Sequence, residues 1–328
     1  MDKKLIVSPS PHVYSGESTR KIMRDILIAL APAFAVSWFF YGVSVLVVTA
    51  VSVMTCVLFE WLIQRFMLGG QNTIRDLSAV VTGVLLAFNL PSSVPLWMVA
   101  VGALAAIGIG KMAFGGLGRN PFNPALVGRV FLLLSFPVAM TSFPAPEAVA
   151  DGFTGATPLM LAKEALMSGQ PLSALMPEMS YGNLLLGANA GSIGEIAALA
   201  LLLGFAYLLI RRVITWHIPV LILGTMAVFA GVLHGANPEI YASPLFHVLT
   251  GGAILGAVFM ATDYSTSPMS TGGIIVYAVA IGAITMLIRV WGAYPEGISF
   301  AILIMNAMVP LLNKYMRPKK FGAIKRVA

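Results

Sequence analysis

Residues 43–66 read Val43-Ser-Val-Leu-Val-Val-Thr-Ala-Val-Ser-Val-Met-Thr-Cys-Val-Leu-Phe-Glu-Trp-Leu-Ile-Gln-Arg-Phe66, with both charged side chains, Glu60 and Arg65, near the far end. A helix rises about 1.5 Å per residue, so about 20 apolar residues cross a hydrocarbon layer of about 30 Å. This stretch is long and apolar enough to do so. The rest of the chain repeats the pattern: of 328 residues, 58% are hydrophobic and 10% charged, where soluble domains carry about 25% charged residues. An ordinary soluble domain is excluded. The fold class expected is an all-α polytopic membrane protein of about ten transmembrane helices. The spans fall at about 23–42, 43–66, 74–90, 94–114, 123–140, 192–211, 215–234, 244–262, 272–290 and 296–313.

Lysine and arginine flanking the spans stay on the cytoplasmic side. With the N-terminus inside, 18 of the 20 basic residues face the cytoplasm, leaving only Lys163 and Arg289 outside. Both termini are therefore expected in the cytoplasm, and the first span directs insertion without a cleavable signal. The net charge of +7 is this asymmetry, not a nucleic-acid footprint. Cys56 is the single cysteine, so an intrachain disulfide is impossible. An iron–sulfur cluster needing up to four thiolates is equally beyond this chain alone. Electron transfer here would need an organic cofactor.

The spans divide into two five-helix halves, 23–140 and 192–313, flanked by a cytoplasmic tail 1–22 and a basic cytoplasmic tail 314–328. Five spans per half reverse the second half in the membrane, which is the geometry of inverted repeats. An echo at an offset of 173 residues sets Gly83-Val-Leu-Leu-Ala-Phe-Asn-Leu-Pro-Ser-Ser beside Gly256-Ala-Val-Phe-Met-Ala-Thr-Asp-Tyr-Ser-Thr.

The halves are joined by an extracytoplasmic loop, 141–191, long enough to be functional. In it Pro158-Leu-Met-Leu-Ala-Lys-Glu-Ala-Leu-Met167 predicts a short helix stopped at Ser168-Gly169, with Thr157 as N-cap and Pro158 at the first helical position. Before it stands Asp151-Gly-Phe-Thr-Gly-Ala-Thr157: a carboxylate, a glycine-flexed turn and two hydroxyls. A helix start presents unpaired N–H groups and partial positive charge, a seat for phosphate. A phosphoester on Thr157 would hold its oxygens there, and Lys163 could add charge if the helix folds back. Taken without the string before it, Thr157 would read as a plain capping threonine.

The string Asp151, Gly152, Thr154, Gly155, Ala156, Thr157 resembles the flavinylation motif of the RnfD/NqrB family. Ser8-Pro-Ser-Pro-His12, Gly115-Gly-Leu-Gly-Arg-Asn-Pro-Phe-Asn-Pro-Ala-Leu126 and Ala261-Thr-Asp-Tyr-Ser-Thr-Ser-Pro268 extend the resemblance over nearly the whole chain. The short N-terminal tail sides with RnfD. The resemblance implies FMN bound covalently through its phosphate to Thr157 by a flavin transferase, with non-covalent riboflavin within the spans as a further option. It implies a subunit of an ion-translocating ferredoxin:NAD electron-transport complex in the bacterial inner membrane, with the A, B, C, E and G subunits of the Rnf complex as partners. The coupled ion is left open between Na+ and H+, and turnover belongs to the whole complex. The quinone-reductase-type NqrB subunit is the alternative. From another class, a non-redox channel or transporter would suit ten spans equally well, but has no use for the Asp151–Thr157 string.

Ionisable groups at membrane depth are functional candidates by default. Asp263 ends the eighth span where the helix dipole disfavours a carboxylate, so a cation, a Ser265–Ser267 hydroxyl cage or the N-terminus of the next helix must offset it; the other reading is a solvated loop carboxylate. Asn123 reads as the N-cap of the fifth helix; the family resemblance further implies that its hairpin walls a cofactor or ion path. Arg129 is expected to snorkel to the inner surface, with contact to a cofactor as the other option, and Glu60 to pair with Arg65 or water. His217, His234 and His247 lack metal-ligand spacing, so no metal site is expected, and no catalytic residue is assigned.

Overall fold

The computed structural model describes residues 18–69, 73–144, 154–176, 180–187, 189–196 and 198–317. The first helix, α1 (Thr19–Tyr41), starts at Ser18, whose hydroxyl caps the Lys21 N–H. It turns into α2 (Val43–Leu62) through Gly42 alone, at φ +63°, a backbone region open to glycine. The π-helical turn Ile63–Leu68 prolongs α2. There follow α3 (Ser78–Phe88), α4 (Leu96–Leu104, carried on by further turns to Phe114) and α5 (Pro124–Ser135). After the short α6 (Pro137–Thr141), strands β1 (Phe143–Pro144) and β2 (Thr154–Gly155) pair antiparallel, Phe143 opposite Gly155. The connecting region then holds α7 (Pro158–Ser168), α8 (Leu172–Leu175) and α9 (Tyr181–Leu186). The second half comprises α10 (Ala198–Ile210), α11 (His217–Ala236), α12 (Pro244–Leu249), α13 (Ala253–Leu255, prolonged by a π turn to Met260), α14 (Thr271–Trp291) and α15 (Ile298–Tyr315).

The chain is an all-α, multi-pass membrane protein. Among the described residues, six helices are long and apolar enough to cross a bilayer: Thr19–Tyr41, Val43–Leu68, Leu96–Phe114, His217–Ala236, Thr271–Trp291 and Ile298–Tyr315. Large apolar side chains such as Phe39, Val43, Val228 and Val232 lie bare on the outside, the surface expected to meet lipid. Half of the apolar window is buried in α4 and α14 but only 28% in α1 and α11, so the former pair lies nearer the core.

The remaining four expected spans are not full helices. The span read as 74–90 is the 11-residue α3, about 16 Å long at 1.5 Å per residue, half a bilayer. Leu77 before it stands at φ +67°; after Asn89, Pro91 cannot continue the ladder. The span 244–262 is interrupted at Thr250-Gly251-Gly252, where both glycines have positive φ. The span 123–140 breaks at Phe136 ahead of Pro137. In 192–211 residues 193–196 form turns, and the described helix runs Ala198–Ile210. The residues before it serve another purpose: the N–H groups of Ile193 and Gly194 donate to Leu90 O and Phe88 O at 3.0 and 2.8 Å. That satisfies carbonyls left bare at the end of α3, as buried backbone must be.

Helix order repeats at the 173-residue offset of the sequence echo. Shifted so, Val43 falls on Trp216, just ahead of α11, and Pro124 falls on Gly297, just ahead of α15. Ser78 falls on Gly251, inside the broken span. Packing repeats as well: α2 lies against α3 and α4, and α11 against α12 and α14; α1 pairs with α10, and α5 with α15.

Candidate functional site

Thr157 stands where the sequence places it, at the N-cap of α7, with φ −67° and ψ 150°. Its Oγ1 accepts the Met160 N–H at 3.2 Å, Pro158 takes the first helical position, and Gly169 at φ +66° ends the helix. The residue is buried although its helix lies outside the spans. Asp151 and Gly152 fall outside the described residues; Thr154 and Gly155 form β2, and Ala156 is exposed.

Two clefts meet at Thr157. One is walled by Asn189–Gly191, Glu195, Thr250 and Gly251. The other is walled by Arg129, Phe143, Tyr294 and Glu296. Gly251 makes the first junction tight: a Cβ there would meet Arg289 Nη2 at 2.4 Å and Leu159 Cδ2 at 2.5 Å. The helix carrying Thr157 thus rests, through Leu159, on the break in the eighth span.

Charged side chains brace this end. Buried Arg289 donates to the carbonyls of His247 (2.5 Å), Thr250 (2.7 Å) and Gly251 (3.1 Å), closing the C-terminus of α12. Lys163, the candidate for the phosphate seat, is engaged elsewhere. Its Nζ donates to Ile288 O, Gly292 O and Tyr294 O at the end of α14, because a helix C-terminus attracts a cation. Burial holds its pKa below the ordinary lysine value. Arg129 does not snorkel to the inner surface. It is buried, ion-paired with Glu296 and donating to Asn89 Oδ1, partners that lie toward the Thr157 end.

The opposite end of the bundle holds a cavity of about 70 Å³ lined by Ser78, Lys111, Asn120, Asn123, Asp263 and residues of both halves. Asn123 caps α5 by accepting from Leu126 N at 3.3 Å and donates to Met260 O at 3.1 Å, joining the two halves. Asp263 accepts from the Ser265 hydroxyl at 3.2 Å and backbone at 3.4 Å. Glu60 does not pair with Arg65, which is exposed. It meets Lys111 at 2.6 Å, both being essentially inaccessible, because α4 delivers the ammonium directly beside α2. Lys111 also donates to Ser78 Oγ at 2.6 Å, and Thr73 Oγ1 donates to Glu60 at 2.9 Å.

The Thr157 clefts and the Asp263 cavity thus lie where interrupted helices meet buried charges. Comparison with known proteins decides the family. A match to the NQR2, RnfD, RnfE family spans residues 6–322. The chain belongs to that family. It is 45% identical, over 98% of its length and 96% of the relative's, to the D subunit of the Na(+)-translocating ferredoxin:NAD(+) oxidoreductase complex of Acetobacterium woodii. To the D subunit of the proton-translocating ferredoxin:NAD(+) oxidoreductase complex of Clostridium ljungdahlii it is 41% identical over 96% of each chain. The D subunit of the ion-translocating oxidoreductase complex of Escherichia coli is 35% identical over 96% of this chain and 98% of its own.

Sequence reasoning passes over Lys111, Arg289, Glu296 and Asn89 as site residues. For Lys111 and Arg289 the signal is present, since a cation at the edge of an apolar run demands a partner. For Asn89 and Glu296 nothing local marks the role, because each is defined by Arg129 on another helix.

Proposed function

We propose that this chain is the membrane D subunit of an ion-translocating ferredoxin:NAD oxidoreductase complex, carrying FMN in phosphoester linkage on Thr157. Thr157 itself carries the reading: a buried hydroxyl at a helix start, at the junction of two clefts, at the end of a family-like motif. FMN supplies one- and two-electron redox chemistry when bound. The chain's part is to hold it. The N–H groups of the first turn of α7 present positive potential to a phosphate on the Thr157 oxygen, and Arg129 brings a guanidinium to the same cleft. Leu159 on Gly251 and Lys163 on the end of α14 keep the helix in place. The shielding of Thr157 from solvent excludes bulk water from the linkage.

At the other end, Asp263 and Asn123 line the entrance for the coupled cation, with Lys111 as the fixed charge beside them. The two relatives named for different ions are similarly close to this chain, so the cation is assigned only as sodium ion or proton. The A, B, C, E and G subunits of the Rnf complex are the partners, and a flavin transferase acts during maturation. The membrane is the bacterial inner membrane, with Thr157 extracytoplasmic and both termini in the cytoplasm. A non-covalent riboflavin within the spans belongs to the same reading through the family resemblance.

The test is purification of the complex in mild detergent from cells carrying wild type or Thr157→Ala. The partner subunits should co-purify in both, with ferredoxin-dependent NAD reduction lost in the variant. Full activity in Thr157→Ala would remove Thr157 from the electron path.

A further inference from the structure

The buried cations of this protein differ in how fully they are used. Lys163 donates to three carbonyls, and Lys111 holds a carboxylate and a hydroxyl. The terminal nitrogens of Arg289 close the carbonyls at the break in the eighth span, and it lines neither cleft at Thr157. Arg129 stands apart. One terminal nitrogen binds Asn89 and the other Glu296, while its Nε is buried without a partner among the described residues. It is 4% exposed and lines the same cleft as Thr157. Arg289 shares the orphaned Nε but not the place.

We propose that Arg129 is the anion-holding residue of the Thr157 site, its guanidinium binding the phosphodiester of the group attached there, with Glu296 as the opposing charge. This rests on the reading of Thr157 as the point of flavin attachment. The chemistry favours it on three counts. A guanidinium has five N–H donors, more than Asn89 and Glu296 consume. Arginine is the side chain suited to forked recognition of phosphate oxygens. The cleft also joins this donor to the start of α7, whose dipole attracts the same anion. Glu296 neutralises Arg129 before modification; once a phosphodiester is present, the two anions share one guanidinium. Arg129 and Glu296 then set the electrostatic potential around the flavin in opposite senses.

The test uses the purified complex from a host with an active flavin transferase, comparing wild type with Arg129→Gln, Arg129→Lys, Glu296→Gln and the Arg129→Gln/Glu296→Gln double variant. Ultraviolet fluorescence of the denatured chain reports attachment, and a redox titration of the covalent flavin reports its midpoint potential. Positive charge favours the reduced flavin. Arg129→Gln should therefore lower the potential, Glu296→Gln should raise it, Arg129→Lys should fall between wild type and Arg129→Gln, and the double variant should return near wild type. General disruption of the site would move both single variants the same way, and that result overturns the inference, as do unchanged potentials. Should Arg129→Gln fail to accumulate, Glu296→Gln and the neutral double variant still decide: the first must rise and the second must not. A wild-type chain without covalent flavin overturns the reading of Thr157 and this inference with it. Wild-type attachment with potentials insensitive to both residues overturns only the role of Arg129.

Discussion

Replacing Lys111 by methionine isolates the cost of the buried ion pair on which the Asp263 end is built. The ammonium lies 2.6 Å from Glu60 Oε2, with side-chain exposures of 1% and 0%. At that separation and an effective dielectric of about 20, the attraction is roughly 6 kcal/mol, much of it offset by the desolvation of both ions. Removing one partner is worse than removing both, because the remaining charge is left without compensation, at a typical cost of about 3–5 kcal/mol. Methionine nearly matches the lysine stem, so packing changes little. At about 2 °C per kcal/mol for a chain larger than 200 residues, Lys111→Met should lower the unfolding midpoint by roughly 6–10 °C. Adding Glu60→Gln removes the stranded carboxylate while leaving an oxygen for Thr73; the double variant should recover more than half of the loss. Tryptophan fluorescence of the detergent-solubilised complex during a thermal ramp would follow this. A double variant no more stable than Lys111→Met, or a single variant that melts with wild type, would refute the assignment of Glu60 and Lys111 as mutually compensating charges.

Other consequences can be checked separately. Gly251→Ala places a side chain at φ +69° against Arg289 and Leu159; left-handed strain alone costs about 1–2 kcal/mol, so α7 should loosen and become more open to protease added from outside the cell. Asp263→Asn should leave attachment at Thr157 and assembly intact while lowering cation uptake per electron in sealed vesicles; unchanged uptake would make Asp263 structural. Single cysteines at Ser168 and Lys319 in a Cys56→Ala background should react with an impermeant thiol reagent on intact cells at position 168 only; the reverse pattern would invert the topology.

Much of the architecture is legible because bilayer crossing is a matter of length and polarity. Helices such as α2 and α14 are therefore visible in the string alone. The capping chemistry is equally local: Thr157-Pro158 and Asn123-Pro124 announce helix starts, and Gly169 a stop. What the string hides is how far each apolar run is helical. Residues 79–88 are apolar but for Thr82, yet α3 stops at Phe88 short of a full crossing, and the carbonyls bared there are taken up by Ile193 and Gly194. The break at Gly251 is marked by a glycine pair, but its stability comes from Arg289, which belongs to α14. The same limit misdirects the two side-chain readings. Glu60 has Arg65 five residues away on the same helix and Lys111 on another, and packing chose the latter. Arg129 sits nearer the inner end of its helix in sequence, yet Glu296 draws it the other way.

Everything proposed for the Thr157 end turns on the chemistry of that residue, and mass spectrometry reads that chemistry without intermediaries. The chain would be purified from a host with a demonstrably active flavin transferase, and its intact mass and the mass of the peptide containing Thr157 compared with those of Thr157→Ala. One added FMN phosphoryl group is expected on wild type, located on Thr157 and absent from the variant. A wild-type Thr157 peptide without added mass, or an FMN adduct that survives Thr157→Ala, would contradict the flavin attachment.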